Sequence, residues 1–440
     1  MPYNLFKIET VEGNLKQRLD DFIFNFGQAI SRGNRIPFAD NDINYAIKLQ
    51  YDRIKEKGLD IEFDTYKRGV LEDVHVGSRW TDTHYDNMVC FKDCGIKRTV
   101  TKNGNKLFSD DKKLVFYETL TDVSVGVPPV NDSYCCPNCG AITTIGELVN
   151  GCPYCGTHYK MDDLFPKITG YNYVEDIGRS EDELKPKMKL FIIIFILIFV
   201  CIGFFSNYKS IIGLITGTID RYDIIGTVLY TVFCMVLMGL MGAFLGYLAF
   251  SMSLLFGLIG KALETGDKMG TIGSRKKFER KMRVLSPEFS FEYFTSKAVS
   301  LIKTAVFSKD EQELVYYKGE KLDPLFKDII DLNFGGALGI VKFKETDGIA
   351  TVVTDVFFDI LYAIDGKVTE KHRVFRTTFT RRTDVPIDFN FSITKIQCPT
   401  CAASFDATRT KTCPHCGNVY DFADSSDWAI TEMKVKKGHW

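Results

Sequence analysis

Taken as a pattern of apolar and polar positions, the chain divides into three parts, and the middle one is the plainest. From Leu190 to Ser206 and again from Ile224 to Gly260 there is no Asp, Glu, Lys or Arg, and the polar stretch Asn207–Asp223 lies between. A helix needs roughly 20 apolar residues to cross about 30 Å of hydrocarbon, so each block suffices for one crossing. A buried soluble helix rarely runs so far without a charge, and the sequence predicts a transmembrane hairpin over 190–260. The second block exceeds one crossing: its excess continues as a helix beyond the membrane, lies in the interface, or makes a third crossing. Its Gly242-x-x-x-Gly246 reads equally as a close-packing face or as lipid-facing or kink glycine.

On either side of the hairpin the periodicity is that of a soluble protein. Leu15, Leu19, Phe22, Ile23, Phe26 and Ile30 share one face of a helix over 14–32, with Asn14 and Gln17 suited to a capping box. A second helix carries Ile43, Ala46, Ile47 and Ile54 and ends near Gly58. Extended segments follow at Tyr66–Val76, Thr83–Phe91, Lys97–Thr101 and Lys113–Val125, with a turn at Asn103-Gly104-Asn105 and a last strand over Phe165–Val174.

The second flank repeats this order. Ser286-Pro287 opens a helix with Phe291, Phe294, Ala298, Leu301, Ile302 and Ala305 on one face, and Asp323-Pro324 starts a shorter one. Strands follow over Ala337–Lys344, Ile349–Ala363 and Lys367–Arg382, the latter two joined at Asp365-Gly366, and Trp428–Val435 closes the set. Lys112, Val115, Phe116, Thr119 and Thr121 align with Lys371, Val374, Phe375, Thr378 and Thr380 at a constant spacing of 259 residues. We read an α+β protein with two duplicated, cone-like helix-plus-antiparallel-sheet domains, 1–175 and 286–440. Between them lie an acidic-to-basic linker (176–189), the hairpin (190–260) and a basic juxtamembrane segment (261–285).

Cysteine spacing supplies the chemistry. Cys136-Pro-Asn-Cys139-Gly precedes Cys152-Pro-Tyr-Cys155-Gly, and Cys398-Pro-Thr-Cys401 precedes Cys413-Pro-His-Cys416-Gly. Paired C-x-x-C turns bring four thiolates onto one tetrahedral ion and leave no open position, which predicts two structural Zn2+ sites in ribbons at 134–158 and 396–420. Redox disulfides are the rival reading. His158 and His415 then read as exposed turn residues and Cys135 as a bystander, while Cys90, Cys94, Cys201 and Cys234 read as small apolar residues. Both ribbons precede the last strand of their repeat.

Charge sets the orientation. Lys185, Lys187 and Lys189 precede the first span, and residues 261–283 hold eight Lys or Arg against three acids, whereas the connecting stretch has only Lys209 and Arg221. Lys and Arg collect on the cytoplasmic side, so an integral, multi-pass protein of the cell membrane with both flanks cytoplasmic is expected. Thiolate ligands also need a reducing compartment. The basic run beside a span reads anionic lipid or sets topology. The net charge of -1 and the scarcity of Lys and Arg in the ribbons speak against nucleic acid as a partner.

The second flank, from FSFEYFTSKAVSLIKTAVF through the long strands to Asp427-Trp428-Ala429-Ile430, resembles the Tim-forty-four-like domain, one of the nuclear-transport-factor-two-like cones. The Gly-rich GLMGAFLG run before it is similar to the membrane segments preceding such domains. The resemblance covers about residues 286–434, and reaches 14–175 only through the repeat. It implies a docking domain in membrane-linked protein or lipid transport. The inserted ribbon departs from that pattern, and so does the first copy, which lacks the closing Trp.

Related cones in isomerases and dehydratases place an Asp, His or Tyr in the pocket. Here Val352, Val356, Phe358, Ile360 and Tyr362 alternate with Val353, Asp355, Phe357 and Asp359, which turns both carboxylates outward as solvated surface. His372 sits among charges, and His75 and His84 fit either a surface or a partly buried place. No catalytic set emerges. The expectation is a non-enzymatic, zinc-stabilised scaffold with protein partners and room for a homo-oligomer. A membrane enzyme with an apolar pocket and a ribbon-based nucleic-acid regulator are the alternatives.

Overall fold

In the computed structural model, described residues are 10–67, 73–82, 84–124, 126, 129–175, 181–218, 220, 223–264, 266–287, 289–385, 395–420 and 428–436. The start of the 176–189 linker and the closing Asp427 lie outside them. The chain forms two compact units, one from residues 1–176 with 270–440 and one from 177–269.

In the first unit the opening helix, α1 (Gly13–Arg32), buries Leu19, Phe22, Ile23, Phe26, Ala29 and Ile30 and ends at Gly33, whose φ of 73° is the left-handed C-cap. The capping box is absent: Glu12 is the N-cap and makes no side-chain cap bond. α2 (Asn41–Glu56) starts instead on Asp40, which accepts from the Asn41 N–H. The sheet follows as β1 (Asp60–Lys67), β2 (His75–Asp82), β3 (Tyr85–Lys102) and β4 (Asn105–Val123). β1 and β2 both pair with β3, along successive stretches of one edge. The segments expected between Thr83 and Val125 are thus two long strands. Charged pairs such as Lys92-Asp93 and Asp110-Asp111 read as breaks in the sequence but sit inside the ladder. A small ribbon, β5 (Ser133–Cys135), β6 (Ile142–Thr144) and α3 (Ile145–Asn150), then α4 (Met161–Leu164), precedes β7 (Lys167–Glu175), which closes the sheet against β4.

The second unit contains α5 (Glu181–Ser206), α6 (Tyr208–Thr216) and α7 (Ile224–Glu264). Met188–Ser206 and Ile224–Met252 have mean hydropathies of 2.9 and 2.3, and only 6% and 11% of their most apolar windows are buried. Both helices are long and apolar enough to cross a membrane, and their bareness is the reverse of a soluble core helix. The connecting stretch is not a plain polar loop, because α6 exposes Ile212 and Ile215. The second apolar block runs on as one continuous helix of 41 residues. Gly242 and Gly246 face α5: a Cβ would stand 2.8 Å from the Phe195 carbonyl oxygen and 2.9 Å from Ile192 Cα, respectively. The glycine pair is therefore a packing face.

α8 (Gly266–Leu285) returns the chain to the first unit, where Phe278 and Met282 are buried and Lys276, Lys277, Arg280 and Lys281 are exposed. α9 (Phe291–Phe307) begins on the N-cap Ser290, a few residues beyond Ser286-Pro287. A 3-10 turn, Pro324–Asp328, is capped by Asp323 as its sequence suggests. The second sheet is β8 (Ile329–Thr346), β9 (Ile349–Ile364), β10 (Lys367–Arg382) and, after a second ribbon of β11 (Lys395–Gln397) and β12 (Ser404–Asp406), β13 (Ala429–Val435). Its order, β8-β9-β10-β13, is that of the first sheet with β1 and β2 standing where β8 stands.

Alternation decides what β9 buries. Val352, Val356, Phe358, Ile360 and Tyr362 join the core under α9, where Phe294 packs on Trp428 (centroids 4.8 Å apart) and Phe379 (5.7 Å). Each such ring taken from water contributes about 1.5–3 kcal/mol. The other face of β9 departs from expectation. Asp355 is buried, in a bidentate pair with Arg376 (both contacts 2.8 Å) and near Lys436. Asp359 is half-buried, bonded to His372 and 3.4 Å from Asn333 Nδ2. Neither carboxylate is bare surface, because that face meets charged neighbours; further along it Leu361 enters the core of the first repeat.

Candidate metal centres

The four C-x-x-C turns are built alike. Within each, the N–H of the residue four positions after the first Cys donates to that Cys carbonyl, and the Cys N–H donates to the carbonyl one residue further on. The pairs are Gly140 and Ala141 for Cys136, Gly156 and Thr157 for Cys152, Ala402 and Ala403 for Cys398, and Gly417 and Asn418 for Cys413, at 2.8–2.9 Å. The chain must turn left-handed at the residue four positions after the first Cys. Gly140, Gly156 and Gly417 do so at φ 75°, 71° and 74°, but the second ribbon uses Ala402, at φ 57°.

These turns converge the eight predicted cysteines into two groups, Cys136, Cys139, Cys152 and Cys155, and Cys398, Cys401, Cys413 and Cys416, with all Sγ atoms of a group within 4.8 Å of one another. Cys136–Cys155 and Cys139–Cys152 are each 3.8 Å apart, and Cys398–Cys416 and Cys401–Cys413 are 3.6 and 3.7 Å apart. A tetrahedral ion with about 2.3 Å metal–sulfur bonds spaces its ligands by about 3.8 Å. A disulfide would need about 2.05 Å, and all thirteen cysteines are free. The geometry is that of two structural metal sites, each saturated by four thiolates. The first cysteine of every turn is buried and Cys139, Cys155, Cys401 and Cys416 lie outward.

The neighbours complete the assignment. His158 and His415 are exposed and belong to neither group. Cys135 also stays out: its Sγ donates to the Gly140 carbonyl at 3.3 Å, and burial pushes its thiol up to about 12, so it remains protonated.

Folding also joins the two ribbons. The Ile142 N–H donates to Ser404 Oγ at 3.1 Å, and Tyr45 of α2 donates to Thr408 at 2.7 Å. Arg53 of α2 reaches the open C-terminal end of α9, donating to the Val306 and Ser308 carbonyls at 3.0 and 3.1 Å. Arg98 of β3 is 4% exposed and reaches Asp331 at 2.9 Å and Glu370 at 2.7 Å. Asn333 donates to the Tyr173 carbonyl at 2.7 Å. Lys303 donates to the Tyr171 hydroxyl at 2.9 Å; burial lowers its amine to about 8, with Asp331 opposing. Sequence reasoning missed this seam because its residues are polar and spread over both repeats. The matched positions spaced 259 residues apart were its one available signal.

The chain matches no family model, no curated protein and no solved structure.

Proposed function

We propose that the protein is a membrane-anchored scaffold whose two zinc-stapled repeats act together as one docking body on the cytoplasmic side. The observation that carries this reading is the joining of two four-thiolate sites and two sheets of one topology in a single compact unit. Zinc suits four thiolates with no open position, a site that stiffens a surface and offers no place for a reacting ligand. Reduced thiolates and basic flanks both favour the cytoplasm. The exposed cations of α8 suit anionic headgroups. The inner face of the second sheet is filled by α9, which favours docking over an apolar cavity for catalysis or an acyl chain. The resemblance to Tim-forty-four-like domains adds protein or lipid transport as the setting.

Crosslinking in intact membranes with mass spectrometry tests the scaffold. Partners that disappear when Cys136 and Cys398 are both changed to Ser support it, and a pattern unaffected by that change overturns it. Metal analysis of the purified chain should give two zinc ions. Chelation should open 134–158 and 396–420 to protease while the hairpin stays inserted.

A further inference from the structure

The two four-cysteine centres share a backbone but differ in the side chains around their sulfurs. In the first, the Asn138 amide donates to Cys155 Sγ at 3.6 Å and to the Thr157 hydroxyl at 2.9 Å, and that hydroxyl lies 3.3 Å from Cys155 Sγ. The Tyr159 hydroxyl lies 3.8 Å from Cys136 Sγ. Once the sulfurs are ionised, all three groups are donors to them. In the second centre the matched residues, 261 or 262 places further on, are Thr400, Asn418 and Tyr420. There no side-chain amide or hydroxyl among the described residues donates to a sulfur, and the Tyr420 ring packs on Phe405 with centroids 6.4 Å apart.

Backbone bonds and access do not separate the centres. The Ala141 and Thr157 N–H groups donate to Cys139 and Cys155, as those of Ala403 and Asn418 do to Cys401 and Cys416. All four of these cysteines are exposed. The difference lies in the side-chain donors, and a bonded thiolate is the weaker nucleophile because the donor draws on the electron pair that would attack. The second centre also carries the left-handed turn at Ala402, whose strain is relieved when its ligands let go.

We infer that the second centre is a site of modification by peroxide: its thiolates are oxidised and release their zinc while the first centre stays closed. This rests on the reading of both centres as zinc staples. The outward Cys401 or Cys416 thiolate attacks one oxygen of hydrogen peroxide, the O–O bond breaks, hydroxide leaves and the sulfur becomes a sulfenic acid. A second thiolate of the same centre attacks that sulfur and expels a second hydroxide, which forms a disulfide. Two thiolates are oxidised and the peroxide is reduced to two waters, with two protons from solvent; the two thiolates that remain are too few to hold the ion. The change reaches the joint between the repeats, because Phe405 and Ala407 belong to the core of the second repeat while Ser404 and Thr408 hold Ile142 and Tyr45.

The test treats the full zinc-loaded chain, in phospholipid nanodiscs, with hydrogen peroxide. A chromophoric chelator follows zinc release, and alkylation with peptide mass spectrometry places the disulfide. One equivalent should leave at least about tenfold faster than the other, the scale on which groups bonded to a ligand tune a metal site, with the disulfide in 396–420. Asn138→Ala and Tyr159→Phe, each loaded with two ions at the start, should quicken peroxide-driven release from 134–158 about fivefold, the scale of one hydrogen bond, and leave 396–420 as it was. A merely structural contact would instead open the first centre without peroxide, which a peroxide-free control reads. The inference is overturned if both ions leave at one rate, if 134–158 is oxidised first, or if neither variant quickens the first centre. A chain that binds no zinc at the outset sinks the staples as well, whereas equal release from two bound ions sinks this inference alone.

Discussion

Thr169 and Thr431, 262 residues apart, are the same bulge residue in two different sheets. Between β4 and β7 the register slips after Thr119, which leaves Thr169 as the extra residue; between β10 and β13 it slips after Thr378, which leaves Thr431. Each hydroxyl then reaches back across the ladder, to the Thr119 carbonyl at 3.4 Å and the Thr378 carbonyl at 3.3 Å. A bulge gives up ladder bonds and reorients the side chains beyond it, so independent sheets would not place one at matched positions by chance. The parallel extends to the residue before it: Ile168 bridges Ala39, and Ile430 bridges Tyr317. Together with the shared strand order, this makes the two sheets structural repeats of one another.

Ala402 is the one non-glycine at the left-handed position of the four metal turns. An L side chain there costs about 1 kcal/mol. Ala402→Gly should therefore stabilise the metal-loaded protein by about that amount, and Gly417→Ala should lose about as much. Thermal unfolding in excess zinc measures both. A destabilised Ala402→Gly would mean that the methyl group contributes packing that outweighs the backbone strain.

Arg98 holds the seam between the repeats, with Asp110, Asp331 and Glu370 around one buried guanidinium. Removing it leaves Asp331 with the Gln50 amide but no counter-charge, while Glu370 and Asp110 keep Lys112, and an unpaired buried charge typically costs about 3–5 kcal/mol. Arg98→Met should show a loss of that size in denaturant unfolding. Adding Asp331→Leu should recover part of it, because the second change removes the charge left without a partner. If the two losses simply add, the pair is not coupled and the seam rests on its apolar contacts.

What the sequence disclosed follows from the range of each signal. The β9 alternation, the Asp365-Gly366 turn with φ of 50° and 74°, and the C-x-x-C turns are local patterns whose physics is complete within a few residues. The buried polar face of α9 was out of reach. Lys297 and Lys303 look like solvated positions in any periodicity count, yet they are 5% and 6% exposed because the other repeat covers them. Lys92, Asp93 and Asp110 likewise suggested breaks where β3 and β4 run through.

Glu118 lies on the face of β4 beneath α1, opposite Cys90 and Tyr171, with Oε1 buried and without a hydrogen-bond partner among the described residues. Burial raises its carboxyl well above the ordinary 4.5; Asp20 adds to the rise and Lys92 opposes it. The unfolded chain releases this proton first, so the stability it contributes is complete below about 4.5 and is lost as pH rises through the folded value. Glu118→Gln cannot ionise. Its stability relative to the parent should climb above pH 4.5 by up to about 1.4 kcal/mol per pH unit until Glu118 titrates. Parallel pH profiles for the two proteins would show that Glu118 ionises normally.

In the second unit, Gly246 sits where a Cβ would meet Ile192 Cα at 2.9 Å and the Phe191 carbonyl at 3.1 Å, whereas Gly226 on the same helix has nothing within 4 Å. Backbone cannot yield as a flexible side chain can, so even Gly246→Ala must push α5 and α7 apart, and Gly246→Leu must do so further. Phe191 and Phe250, now 5.9 Å apart between ring centroids, report the separation. Cysteines placed at 191 and 250 in a background lacking Cys201 and Cys234 should crosslink with a short bifunctional reagent. Gly246→Leu should lower that yield about tenfold, the scale of a 1–2 kcal/mol loss of helix contact, and Gly226→Leu should leave it unchanged. Equal yields in the two variants would show that the glycines do not set the distance between these helices.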